Sequence, residues 1–218
     1  LKAFADRHRV IALDLPGHGD SGSNRKKWGL PEFGADVAAV CAAEKFGKVI
    51  LIGNSLGGPV AVEAALLLGG QTLGVIGIDT FQSLDYAYSE AQARERAEPF
   101  RKDYPAAMKQ MVAALFHKDA DPALIADVEK RMSRTSPEAV YQMFLGMADY
   151  RPADSARKLT VPLRTVNGDL YPTDFAGVRK VKRDFDAVIM AHTGHYPMLE
   201  RPEEFNRNLA EIVARLIK

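Results

Sequence analysis

Apolar residues fall in short blocks separated by glycine-, proline- and charge-rich stretches, and the blocks are of two kinds. Arg9-Val-Ile-Ala-Leu13, Val49 to Ile52, Leu73 to Ile78, Leu163 to Val166 and Phe185 to Met190 are near-continuous apolar runs bounded by turn residues. Runs apolar on both faces predict buried strands of a parallel sheet covered by helices. The other blocks have helical spacing. Pro31 opens one, with Phe33, Val37, Val40 and Cys41 on its apolar side and Gly47 ending it; proline suits a first helical position. A second runs from about Leu56 to Leu68 and closes at Gly69-Gly70. A third begins at Pro202 and carries the stripe Phe205, Leu209, Ile212, Val213, Leu216. Leu1 to Asp6 reads as the tail of a helix feeding the first strand.

From about Phe81 to Lys158 the strand signal stops and only helical spacing remains. Five of the seven methionines lie there: Met108, Met111, Met132, Met143 and Met147. Tyr86, Tyr88, Tyr104, Phe116, Tyr141 and Phe144 join them. Flexible thioethers and aromatics either form a helical core or line an adaptable pocket. The alternation of strand and helix on both sides predicts an α/β fold: a mostly parallel sheet with helices on both faces, interrupted by a helical insertion. The core is expected from residues 1–80 and 159–218, the insertion from 81–158.

Composition narrows the function classes. The 218 residues are 47% apolar and 26% charged, with a formal net charge of +1. No strong field for nucleic acid or an anionic membrane follows. No apolar run of about 18 residues marks a membrane span. The single cysteine, Cys41, sits in an apolar helical stretch and reads as core; it excludes an internal disulfide and a cysteine-based metal site.

The clearest chemical signal is Gly53-Asn54-Ser55-Leu56-Gly57, followed by Gly58. It fits G-x-S-x-G, with an apolar strand before it and an amphipathic helix after it. That context holds a serine on a sharp strand-to-helix turn, hydroxyl exposed, with the next residue's N–H aimed at the same point. Ser55 is therefore the candidate nucleophile and the Leu56 N–H a candidate oxyanion donor. A serine hydroxyl needs a base. His195, in Thr193-Gly194-His195-Tyr196-Pro197, follows the last strand and is the candidate, with His192 as rival; His8 and His117 read as surface or packing histidines. An acid must hold the imidazole. Asp169, Asp174 and Asp79 all follow strands, and chain order leaves all three open. Gly17-His18-Gly19-Asp20-Ser21-Gly22 satisfies G-x-G-x-x-G on paper. It does not open into a helix, so it lacks the helix N-terminus that holds a pyrophosphate.

Taken together these residues resemble the α/β-hydrolase superfamily along essentially the whole chain. Asp14-Leu-Pro-Gly-His-Gly-Asp-Ser-Gly22 is similar to the family's D-x-P-G-x-G-x-S loop. Gly53 to Gly57 is similar to its nucleophile elbow, and Gly194 to Asn206 to its histidine loop and following helix. The resemblance implies that His195 is the base and that the insertion is a cap over the site. The family acid usually stands three residues after a glycine; from Gly168 that position is Tyr171. Asp169, the nearest carboxylate, is the favoured acid, with Asp174 and Asp79 as alternatives. The resemblance also implies strands and a His-Gly loop before Arg9, about 30–60 residues by usual element lengths. Their absence would expose a sheet edge and remove one oxyanion donor. A cytoplasmic location is the expectation, from a chain beginning at Leu1 with nothing like a signal peptide.

The implied activity is a serine hydrolase cleaving a small or medium carboxylic ester or lactone through an acyl-enzyme, with a Ser55, His195, Asp169 triad. No metal or organic cofactor, nucleic acid or membrane partner is implied. The competing reading is a non-catalytic ligand-binding or regulatory protein on the same fold.

Overall fold

The computed structural model describes residues 2–218; Leu1 lies outside the described residues. After a short helix α1 (Lys2–Ala5) the chain runs without regular structure to α2 (Leu30–Ala43). Then come β1 (Val49–Asn54), α3 (Gly57–Leu68) and β2 (Thr72–Ile78). Five helices follow: α4 (Glu90–Lys102), α5 (Tyr104–Ala113), α6 (Pro122–Met132), α7 (Pro137–Leu145) and α8 (Pro152–Lys158). The sheet resumes with β3 (Leu163–Gly168), α9 (Phe175–Val181) and β4 (Asp186–Met190); α10 (Pro197–Glu200) and α11 (Pro202–Leu216) close the chain.

The sheet has the order β1-β2-β3-β4, and every pair is parallel. Alternate side chains enter different cores, as the two-residue period of a strand requires. Leu51, Val75 and Leu163 pack with Ala61, Val62 and Ala65 of α3, Cys41 of α2 and Ala156 of α8. Ile76, Ile78, Val166 and Met190 pack on the other face against Phe205, Leu209, Ile212 and Val213 of α11. The apolar stripe expected of the last helix is the stripe buried. Cys41 is in the first core, as expected. The insertion has its own core, in which Phe100, Met108, Val112 and Val140 are buried. Glu63 of α3 ties the insertion to the sheet layer: it accepts from Tyr150 Oη at 2.9 Å and Ser155 Oγ at 2.5 Å.

One expected strand is not a strand. Residues 9–13 have no regular structure and join no strand among the described residues, and Val10, Ile11 and Leu13 are 38%, 42% and 39% exposed. An apolar run becomes a strand only beside another strand that takes its N–H and C=O groups. Here Arg9 is held instead at the end of α2, through Glu44 and over the Phe46 ring. The neighbouring edge of the sheet, β1, is paired among the described residues on its β2 side alone, and its Ile52 is 45% exposed. An open cleft lies between the two. Among the described residues no helix is long and apolar enough to cross a membrane.

Candidate active site

The site is assembled where β1, β2 and β3 end. At the end of β1 the chain turns into α3 through Ser55, whose φ is +52°. A left-handed backbone is uncommon for a serine and marks a turn the surroundings enforce. The Ser55 N–H donates to the carbonyl of Ile78 at 3.0 Å, and its own carbonyl accepts from Gly58 at 2.9 Å. Gly53 is required because a Cβ there would collide with the carbonyl of Gly57. Leu56 then leads into α3, so the serine stands at a helix N-terminus, where backbone dipoles favour negative charge.

Asp79 follows β2 directly, also with positive φ, at +43°. Its side chain is 1% exposed. One carboxylate oxygen accepts from the Gly168 N–H at 3.0 Å, and its own N–H reaches the Val166 carbonyl at 2.9 Å. The other oxygen lies 2.5 Å from His195 Nδ1. An ionised carboxylate only accepts, so Nδ1 carries the hydrogen and Nε2 of the neutral ring is left as the basic nitrogen. His195 is 12% exposed at its side chain and shares a cavity with Ser55.

The carboxylate that faces His195 Nδ1 is thus Asp79's and not that of Asp169, the acid favoured from the sequence. Asp169 sits at the end of β3 as expected, but its carboxylate is taken up elsewhere. It accepts from the N–H groups of His192 at 2.9 Å and Thr193 at 3.2 Å, and it meets His117 Nε2 at 2.9 Å. Partial burial pushes this carboxyl up, but the two backbone donors and His117 outweigh that and hold it at about 2. The physical reason is the path of the histidine loop. The loop after β4 crosses back over the end of β3, where Gly168 lies against the Thr193 and Gly194 carbonyls and the Asp169 N–H reaches Thr193 at 3.0 Å, so His195 comes to lie over the residue after β2 while Asp169 is left with the start of that loop. Asp174, the other alternative, is the N-cap of α9 and accepts from the Gly177 N–H at 2.8 Å. His192, the rival base, has φ +51° and contributes its backbone N–H to Asp169. His117 is a partner of Asp169 rather than a lone surface histidine.

The cavity over Ser55 and His195 takes one wall from the insertion. Met111, Met132, Met143 and Met147 line it, whereas Met108 is buried in the insertion's own core. Tyr86 and Tyr196 also line it; burial, helped at Tyr86 by Tyr88, pushes both phenols up to about 12, so they stay neutral donors. The cavity measures 1730 Å³, more than the roughly 300–1,000 Å³ of a small-molecule pocket, because it continues into the cleft beside β1. Among the described residues no cluster of three or more His, Cys, Asp or Glu is placed to hold a metal ion.

This fold and this elbow define a class. A model of the alpha/beta hydrolase family matches residues 1–208, and the chain belongs to that family. An esterase from Thermogutta terrifontis superposes with a TM-score of 0.86 at 25% identity, covering 99% of this chain and 84% of that one. An enol-lactonase from Burkholderia xenovorans superposes with a TM-score of 0.84 at 17% identity, over 98% of this chain and 84% of that one, a likeness of fold. Among curated proteins the chain is 27% identical, over 225 residues, to the dihydrolipoyllysine-residue acetyltransferase component of the acetoin cleaving system of Pseudomonas putida. That match takes in 95% of this chain but 56% of the relative, so the chain spans about half of that protein's length.

Proposed function

We propose that the protein is a serine hydrolase that cleaves a small or medium carboxylic ester or lactone through an acyl-enzyme. The proposed triad is Ser55, His195 and Asp79. The observation that carries the reading is the 2.5 Å bond from His195 Nδ1 to the buried Asp79 carboxylate, on a loop that shares the cavity of the left-handed Ser55. The esterase likeness supports the ester class.

In this reading Ser55 Oγ attacks the carbonyl carbon, and its proton passes to His195 Nε2. Asp79 keeps the imidazole in the required tautomer and stabilises the imidazolium. The C=O electrons move onto oxygen, which the Leu56 N–H at the head of α3 stabilises in this reading. The intermediate collapses with loss of the alkoxy group, which takes the proton from His195. Water then attacks the acyl-enzyme, giving its proton to His195, and the acid leaves as Ser55 is regenerated. The helical insertion supplies the substrate wall as a cap. Its methionines, with the neutral phenols of Tyr86 and Tyr196, favour an apolar acyl or alcohol group.

The test is intact-mass labelling with a fluorophosphonate. One adduct per chain, lost in Ser55→Ala, is expected. No adduct on a folded chain would give the lead to a ligand-binding protein on the hydrolase fold.

A further inference from the structure

The residue between Gly53 and Ser55 has no part in the reaction above, yet its side chain is bonded twice. Asn54 Nδ2 lies 2.9 Å from the Ile78 carbonyl oxygen and 3.1 Å from the His195 carbonyl oxygen. Both partners are carbonyls and can only accept, so the group facing them is the NH₂, and the amide orientation follows from the chemistry.

The two acceptors are not arbitrary. Ile78 immediately precedes Asp79, and its carbonyl also takes the Ser55 N–H at 3.0 Å. His195 is the proposed base itself. One carboxamide, carried next to the nucleophile, thus joins the backbones of all three segments of the proposed triad, across separations of 24 and 141 residues. The other bonds to the histidine loop come from elsewhere. Leu115 of the insertion accepts the His195 N–H at 2.8 Å, and Glu200 of α10 accepts from Gly194 at 2.9 Å and from Tyr196 at 3.0 Å. Among these ties, Asn54 is the one that sets the loop against the nucleophile's own strand.

We infer that Asn54 is a positioning residue that fixes the distance and orientation of His195 relative to Ser55 while holding the root of Asp79. The inference rests on the serine-hydrolase reading. Asn54 touches none of the reacting atoms; it acts through the backbone of the residue that does. A displacement of about 1 Å in such a constellation can cost on the order of 10²-fold in rate, and loss of the tether releases His195 on one side only. The effect therefore belongs in the chemical step and not in substrate binding.

The experiment is the rate of fluorophosphonate labelling of Ser55, with kcat and KM for p-nitrophenyl butyrate, in the unsubstituted chain, Asn54→Ala, Asn54→Asp and Asn54→Ser. Asn54→Asp keeps the shape but turns an acceptor toward two carbonyls. Asn54→Ser keeps one donor at shorter reach. Asn54→Ala and Asn54→Asp are expected to label roughly 10–100-fold more slowly, with kcat falling alongside and KM within about twofold. Asn54→Ser is expected between them and the unsubstituted chain. Each rate is taken on protein whose circular dichroism is unchanged, well below its melting point, so that a purely structural role would leave the rate per folded molecule intact. Should Asn54→Ala not fold, Asn54→Asp and Asn54→Ser decide the matter. A folded Asn54→Ala or Asn54→Asp that labels within twofold of the unsubstituted chain overturns the Asn54 role while leaving the hydrolase reading standing. Silence of the unsubstituted chain overturns the hydrolase reading and the Asn54 role with it.

Discussion

Two aspartates close to the histidine loop divide the work by what their carboxylates face. Asp79 is buried and bonded to His195, so Asp79→Asn is expected to lower kcat by about 10³–10⁴-fold through the wrong imidazole tautomer; steady-state ester hydrolysis measures it. Asp169→Asn is expected to leave the chemistry within about tenfold, well short of the loss at Asp79, and to act on stability instead. Its folded carboxyl is held at about 2, below the ordinary carboxylate value of about 3.9. The group therefore stabilises the fold above that ordinary value, and the contribution is lost as pH falls toward 2. Denaturation midpoints should separate Asp169→Asn from the unsubstituted chain at neutral pH and converge with it in acid. Equal midpoints at neutral pH would sink the idea. These roles could not be read from chain order, because all three candidate aspartates follow strands. Which one lies under the histidine depends on how far the loop after β4 crosses back over the end of β3, and that is set by tertiary packing.

At the scale of elements, the expected strands at Val49, Leu73, Leu163 and Phe185 match β1 to β4 closely, since a run apolar on both faces has few alternatives inside a layered fold. The helices after Pro31, Leu56 and Pro202 were legible for the same reason. The helical character of the insertion was legible too, but not which methionines turn inward. Met108 faces the insertion's core, while Met143 and Met147 face the cavity, because packing between helices decides that and spacing alone does not. The insertion is fastened to the sheet layer through Glu63 of α3. Glu63→Ala leaves the half-buried hydroxyls of Tyr150 and Ser155 without their acceptor, and a loss of about 1 kcal/mol is expected. Urea denaturation should report it, and a change under about 0.5 kcal/mol would mean water replaces the acceptor freely.

For the whole molecule, the open edge of β1 and the unpaired segment 9–13 present apolar residues on both sides of a cleft. Ile11 and Ile52 are 42% and 45% exposed. An unpaired strand edge with apolar side chains invites pairing with another chain. A chain of these 218 residues is expected to bind a hydrophobic dye and to associate as its concentration rises. The double substitution Ile11→Lys and Ile52→Lys should reduce both. Light scattering over a wide concentration range checks this, and a strictly monomeric, dye-silent chain would contradict it.

The sequence by itself determined the layered α/β fold, the position of the elbow at Ser55 and the histidine loop. Each is written in local spacing: apolar runs, glycine at a turn too tight for a Cβ, and a helix start directly after a strand. Tertiary structure alone decided the rest. The strand expected at residues 9–13 needed a neighbour to pair with and finds none among the described residues. The acid facing His195 depended on which strand ends meet beneath one loop. The role of Asn54 depended on carbonyls 24 and 141 residues away. Local propensity is set by a few consecutive residues, whereas pairing partners and hydrogen-bond acceptors are supplied by segments that only folding brings together.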